Sequence, residues 1–100
     1  MKALVLGSGI SLGIPAWNDG SEAALNARAQ DAQFPRRRGA SLALSVDGLR
    51  HSLIEAPFHL PATLAADPRF APAAGKRAVP IDTMLLTSGD LDACAGALAL

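Results

Sequence analysis

Residues 41–55 read SLALSVDGLRHSLIE. Polar and apolar residues alternate over the first six positions, which is the period-two pattern of a half-buried strand. Asp47-Gly48 follows, and this dipeptide favours a two-residue hairpin turn because both residue types tolerate a left-handed backbone. Residues 50–55 then return as a second strand. The stretch predicts a β-hairpin, and the remaining elements are placed relative to it.

The regions on either side of the hairpin predict further strands and helices. Residues 3–6 form a short apolar run before glycines, which is typical of a buried strand entering a tight loop. Further along we expect a helix over 21–30 with Ser21 as its N-cap, a short helix over 61–66, a buried strand over 82–87 and a helix from Leu91. The order is strand, long loop, hairpin, short helix, strand, turn and helix.

The composition argues against several classes of protein. Nine basic and nine acidic side chains cancel, whereas a nucleic-acid-binding protein usually carries a basic excess. No apolar run approaches the roughly 20 residues that span a bilayer, and the apolar start is too short for a signal peptide. The single cysteine, Cys94, excludes an internal disulfide and fits a reducing compartment. We therefore expect a cytoplasmic protein that binds neither nucleic acid nor membrane.

The composition also limits the size of the core. Hydrophobic residues make up 50% of the chain but aromatic residues only 4%, so each buried side chain removes little area from water. At 100 residues we expect marginal stability unless the chain continues or finds a partner. The chain stops at Leu100 inside an apolar helical pattern without a C-cap. We therefore expect residues 1–100 to be an incomplete domain.

A glycine-rich segment follows the first predicted strand, with glycines at positions 7, 9 and 13. A dinucleotide-binding fingerprint would need glycine at position 12, where leucine stands. It would also need a helix directly afterwards, which Pro15 and Trp17 oppose. The segment is therefore interpreted as a structural loop in which glycine permits a positive φ and close packing.

Two carboxylates follow the predicted strand over 82–87. Asp90 and Asp92 stand two residues apart at a strand-to-helix turn, where they could ligate a hard cation. The same pattern is explained if Asp90 or Ser88 caps the following helix and Asp92 complements its dipole. Both interpretations stay open on the residues alone.

The remaining candidate functional residues are two histidines and a run of three arginines. His51 opens the second hairpin strand and is expected at the surface, whereas His59 lies in the loop that leaves it, where a functional side chain can be displayed. A lone histidine defines no metal site, because a transition metal needs several ligands. The run Arg36-Arg37-Arg38 suits bidentate binding of an anionic substrate or is a solvated loop.

A set of segments spread over the whole chain follows an order found in a known family. The segments are Val5–Ser8, Gly13–Asn18, Arg37 with Ala40–Leu44, Asp47-Gly48, Ala56, Leu64, Pro68, Pro80-Ile81, Leu86-Thr87, Asp92, Gly96 and Leu98. Together they resemble the coenzyme PQQ (pyrroloquinoline quinone) synthesis protein B family of the metallo-β-lactamase superfamily. The Pro15-x-Trp17-Asn18 loop is the most specific piece. The resemblance implies an α/β fold, the first half of an αββα sandwich: a mixed β-sheet with helices on one side.

The resemblance also implies a site for iron or zinc that has lost most of its ligands. The superfamily's His-x-His-x-Asp-His motif falls on Ser88, Asp90, Asp92 and Ala93. Asp92 is then the retained ligand, with Asp90 and His59 as its potential partners, and the family's cysteines after the Trp-Asn pair are absent. Too few donors remain to hold a transition metal tightly unless residues outside this chain supply them.

The function implied by the resemblance is that of a divergent PQQ synthesis protein B-like protein in cofactor biosynthesis. Its chemistry would be metal-dependent oxygenation or hydrolysis of a small-molecule precursor. Enzymatic activity stays open because the ancestral metal site is largely lost. The alternatives are a non-catalytic binding or scaffold protein and a truncated fragment. A single sheet with helices on one side leaves an apolar face open. We expect a missing C-terminal half, a second copy of the chain or a partner to cover it.

Overall fold

The computed structural model describes residues 1–100 and contains one four-stranded mixed sheet. The strands are β1 (Lys2–Gly7), β2 (Ser41–Ser45), β3 (His51–Ile54) and β4 (Ile81–Leu85), in the spatial order β1-β2-β3-β4. The first three strands pair antiparallel, and β3 pairs parallel to β4. The helices are α1 (Glu22–Arg28), α2 (Leu60–Ala66) and α3 (Leu91–Cys94), with 3-10 turns at Pro68–Phe70 and Ala95–Ala99. The α/β prediction is confirmed, and no helix has the length and hydropathy of a membrane span.

The predicted hairpin is present and its turn is held by one aspartate. The carboxylate of Asp47 accepts the backbone N–H groups of Leu49 at 2.7 Å and Arg50 at 3.0 Å, and Gly48 takes a φ of 82°. These N–H donors, that of Leu49 first, lower the pKa of Asp47 because they stabilise its ionised form. The hairpin is confirmed, but its connection runs over residues 46–50 instead of two residues, and of the Asp-Gly pair only Gly48 has a positive φ.

Helix α1 begins where the sequence predicts and ends slightly earlier. The Ser21 hydroxyl accepts the N–H of Ala24 at 3.3 Å, which confirms the predicted N-cap. Ala24 and Ala27 are buried and form the packing face of the helix. The helix ends at Arg28 because Gln30 adopts a left-handed φ of 60°, which is incompatible with helical continuation.

The segment after α2 contains an element that the sequence reading missed. A 3-10 turn starts at Pro68, and the Asp67 carboxylate caps it by accepting the N–H of Arg69 at 3.0 Å. The turn buries Phe70, whose ring centroid lies 4.9 Å from that of His51. His51 is only 7% exposed, so its predicted surface position is wrong. It lies on the same face of β3 as Leu53, and the 3-10 turn covers that face.

The core lies on one face of the sheet. Leu4, Ala43, Leu53 and Met84 are register partners in one row across the four strands. The fully buried cluster on this face is Ala43, Leu53, Ala56, Leu60, Leu64 and Phe70. Two of these residues come from α2 and one from the 3-10 turn, so the packed layer over the sheet is thin.

The opposite face of the sheet is open. Its row runs through Val5, Leu42, Ile54 and Leu85. Val5 is 65% exposed and Leu85 is 59% exposed, because β1 and β4 are the edge strands. The expectation that these two strands are buried is therefore wrong for the chain by itself, whereas the expected open apolar face is present.

The glycine-rich segment is a structural loop, as predicted. A Cβ at Gly7 would lie 2.1 Å from the carbonyl oxygen of Gly39, so only glycine allows these backbones to meet. The Gly9 N–H donates to the carbonyl of Arg38 at 2.7 Å, and Gly13 has a φ of 76°. The loop therefore brings residues 7–13 against the arginine run.

Candidate functional site

The turn after β4 displays the predicted carboxylates at the edge of the sheet. Asp90 is the N-cap residue of α3, and its N–H donates to the Ser88 hydroxyl at 2.9 Å. The Asp90 carboxylate makes no capping hydrogen bond, so this part of the capping interpretation is not supported. Asp92 lies in the first turn of the helix, where a negative charge is favourable. Both carboxylates are exposed and neither forms an ion pair.

A third carboxylate lies beside this turn at the end of β3. Oε1 of Glu55 accepts the backbone N–H of Thr87 at 2.7 Å and also accepts the Thr87 hydroxyl. Its Oε2 is buried without a hydrogen-bond partner. The backbone of Glu55 has a φ of 65°, which non-glycine residues rarely adopt outside functional or tightly constrained positions. The sequence reading missed Glu55 because a glutamate ending a strand carries no distinguishing signal.

His59 faces a different part of the molecule. It precedes α2, and its carbonyl accepts the N–H and the hydroxyl of Thr63, both at 2.9 Å. A Cβ at Gly13 would lie 3.7 Å from the His59 Nε2, so the imidazole approaches the glycine loop. There it lines a cleft of about 660 Å³ together with Arg28 and the arginine run.

We call this cavity the arginine cleft. Its lining comprises Leu12–Pro15, Arg28, Arg36–Arg38 and His59. The loop and the run are joined by a pair of backbone hydrogen bonds between Ile14 and Arg37, at 2.7 and 2.9 Å. The sequence reading singled out the run and His59 but missed Arg28, whose helical position gave no sign that it points toward the same cavity.

The predicted ligands do not form a metal site by themselves. No three side chains among the His, Cys, Asp and Glu residues come close enough together to hold a metal ion. Asp90 lies on the turn before α3, and Asp92 lies within α3. His59 instead faces the glycine loop. Residues 1–100 therefore do not fit iron or zinc unaided. The assignment of Asp92, Asp90 and His59 as ligands stays a prediction that needs further donors.

Comparison with characterised sequences gives matches over the full chain. Coenzyme PQQ synthesis protein B of Methylobacterium nodulans is 40% identical over 100 residues, which is all of this chain and 33% of that protein. The proteins of the same name from Xanthomonas euvesicatoria pv. vesicatoria and Gluconacetobacter diazotrophicus are 41% and 37% identical over 100 and 97 residues. The chain thus spans about a third of the curated relatives it matches. No family model matches it.

Comparison with solved structures also gives a match to this protein. The zinc-bound PqqB of Methylobacterium extorquens superposes with a TM-score of 0.92 at 36% identity, covering 99% of this chain and 36% of that one. A diphosphatase of the PhnP family superposes with a TM-score of 0.73 at 23% identity, covering 97% of this chain and 33% of that one. The second likeness concerns the fold alone.

The four-stranded sheet with its helices therefore defines part of a metallo-β-lactamase-like α/β fold. Within that class the chain is similar along all 100 residues to coenzyme PQQ synthesis protein B. The family resemblance predicted from the sequence is confirmed.

Proposed function

We propose that this chain acts in pyrroloquinoline quinone biosynthesis as a divergent relative of PQQ synthesis protein B. The observation that carries the proposal is the superposition on PqqB with a TM-score of 0.92 at 36% identity. A match of this quality over 99% of the chain means that the strand order, the hairpin and the strand-end turn are shared. The proposal places the protein in the cytoplasm, where its single half-buried thiol would stay reduced.

The metal site is the part of the family's chemistry for which this chain keeps the fewest residues. The solved structure of PqqB from Methylobacterium extorquens is zinc-bound, so zinc is the first metal to measure in this protein. Asp92 would then be one ligand at the strand-end turn, with donors still needed where Ala93 replaces the family's histidine. We therefore propose that residues 1–100 contribute the fold and one ligand, and no complete metal centre.

A second candidate is a non-catalytic binding or scaffold protein. It is favoured by the open sheet face, where Val5 and Leu85 are more than half exposed, and by the dispersed predicted ligands. Such a protein would keep the family fold while using its surface for assembly.

A pair of chimeras separates the two candidates. Residues 1–100 replace the matching third of the Methylobacterium nodulans relative in a bacterium that lacks its own synthesis protein B, and PQQ is quantified by mass spectrometry. One chimera keeps Ala93, and the other carries Ala93→His. The expression level and zinc content of each purified chimera are measured in parallel.

If the proposal holds, we expect PQQ to form in both chimeras, with more PQQ and more bound zinc in the Ala93→His chimera because the imidazole adds a donor. PQQ formation in both would show that the role survives without the imidazole. If PQQ forms only with Ala93→His, the fold supports the role but this chain has lost the chemistry, which favours the binding protein. Two folded, well-expressed chimeras that yield no PQQ would overturn the proposal.

A further inference from the structure

We propose that the arginine cleft binds a small molecule carrying oxyanion groups, either carboxylate or phosphate. The inference concerns residues remote in sequence from the strand-end turn and does not rest on a role in PQQ biosynthesis. It begins from the distribution of charge. The net charge of the chain is zero, yet four of its nine basic side chains line this one cleft and no acidic side chain does.

The cleft arginines are not neutralised by carboxylates. The two ion pairs of the protein join Arg50 to Asp82 and Arg69 to Asp67. Hydrogen bonds from Ser21, and to a smaller extent the charge of Arg28, lower the pKa of Asp19, but Asp19 and Arg28 form no ion pair. Four positive side chains along one cleft, with no acidic side chain among its lining residues, give the cleft a positive potential that attracts anions.

Two of the guanidinium groups are held in position by backbone carbonyls. Arg28 donates to the carbonyls of Ala16 at 2.7 Å and Asp19 at 2.6 Å. Arg36 donates to the carbonyls of Ala27 and Arg28, both at 3.1 Å. Each guanidinium has five N–H donors, so unused donors remain after these bonds. Side chains fixed in this way lose little conformational entropy when a ligand binds.

The other two arginines are less engaged. Arg37 donates to the Ser8 hydroxyl at 2.9 Å, and the Arg38 side chain forms no hydrogen bond or ion pair within the protein. Planar guanidinium groups recognise carboxylate and phosphate by paired N–H donors, which sets the ligand class. The cavity volume of about 660 Å³ lies in the range of small-molecule sites.

The test is calorimetric titration of the purified chain with citrate and, separately, with pyrophosphate at fixed ionic strength. Citrate supplies carboxylate groups and pyrophosphate supplies phosphate groups, so the two titrations show which kind of oxyanion the cleft binds. The variants are Arg38→Gln and Arg37→Gln. Arg77→Gln is the matched control, because Arg77 lies in the exposed loop before β4 and its loss changes the net charge equally. Circular dichroism verifies that each variant is folded.

We expect saturable binding of at least one probe and about tenfold weaker binding by Arg38→Gln, since a charge-assisted hydrogen bond to an oxyanion is lost. The Arg38 side chain forms no hydrogen bond or ion pair within the protein, so this variant should fold normally, and Arg37→Gln provides a second measurement. Arg77→Gln should bind as the parent does. The site would be rejected if neither probe saturated, or if Arg77→Gln weakened binding as much as Arg38→Gln did.

Discussion

The carboxylate of Asp67 is held by two kinds of donor from a single residue. The Arg69 guanidinium donates to its oxygens at 2.9 and 2.6 Å, and the Arg69 backbone N–H donates at 3.0 Å. These hydrogen bonds, the guanidinium first, lower the pKa of Asp67 from 3.8 to about 2 because they favour the ionised form. The 3-10 turn that buries Phe70 thus depends on a charged cap.

A pH dependence of stability follows at this residue. Because the pKa is lower in the folded chain than in the unfolded chain, the stabilisation is present above about pH 4 and is lost as the pH falls toward about 2. We expect Asp67→Asn to reduce the slope of unfolding free energy against pH in that window. Urea unfolding at a series of pH values measures it.

Arg69→Gln is the control for this prediction. It should reduce the same slope by less, because the backbone N–H at position 69 still binds Asp67, and the double variant should behave like Asp67→Asn. Equal slopes in the parent and Asp67→Asn would mean that the pair does not form in solution. Asp47, whose pKa the turn N–H groups also lower, should account for part of the remaining slope.

Individual residues were the hardest feature to predict from the sequence. A position at the start of a strand beside a hairpin predicts that His51 lies at the surface, but Phe70, 19 positions further along the chain, packs over it and buries it. Glu55 was missed for a similar reason, since its left-handed φ and its bond to Thr87 exist only when β3 and β4 are paired. Such contacts are set by tertiary structure, which local patterns do not encode.

At the scale of elements, α3 and the 3-10 turn after it dock on the loop that leaves β3. The N–H of Gly96 donates to the carbonyl of Ala56 at 2.7 Å. A Cβ at Gly96 would lie 2.1 Å from the Pro57 carbonyl oxygen and 2.8 Å from that of Ala56. The last helical segment can therefore sit this close to the sheet only with glycine at its contact point.

We expect Gly96→Ala to destabilise the chain by roughly 1–3 kcal/mol, because backbone must shift to admit the methyl group. Gly89→Ala is the matched control: no atom lies within 4 Å of the Cβ it would add. Its effect should stay within about 0.5 kcal/mol. Denaturant unfolding midpoints give the stabilities of the parent chain and the two variants. A Gly96→Ala protein as stable as Gly89→Ala would contradict this docking.

Elements were predicted well where their signals are local. The Asp47-Gly48 turn and the Ser21 cap each involve bonds within three residues, and both are observed. The 3-10 turn at Pro68 was overlooked because a single short turn produces no periodicity. The exposure of β1 and β4 was also mispredicted, since an apolar run does not reveal which strand stands at an edge of the sheet.

At the scale of the whole molecule, the sheet is covered on one face only. The open row of Val5, Leu42, Ile54 and Leu85 is apolar, and the outer edge of β4 has no strand beside it. Exposed apolar faces and unpaired strand edges promote association. What covers this face in the cell stays a prediction, with a second copy as one of the options.

We therefore expect the isolated chain to self-associate as its concentration rises, measured by sedimentation velocity. Leu85→Lys and Val5→Lys should each shift the distribution toward monomer, because they place charge on the open face. Leu25→Lys is the control, since Leu25 is 55% exposed but lies on α1. A monomer at every concentration, or an equal effect of Leu25→Lys, would show that the open face does not drive association.

The central position of the hairpin has a consequence for how the protein is made. Strands β2 and β3 are adjacent in sequence and form the two middle strands of the sheet. Contacts between residues close in the chain form fastest, because little loop entropy is lost. During synthesis β1 and the hairpin leave the ribosome before β4 does, so three strands can pair before the fourth is available. The parallel edge strand is then added last, to a template that is already in place.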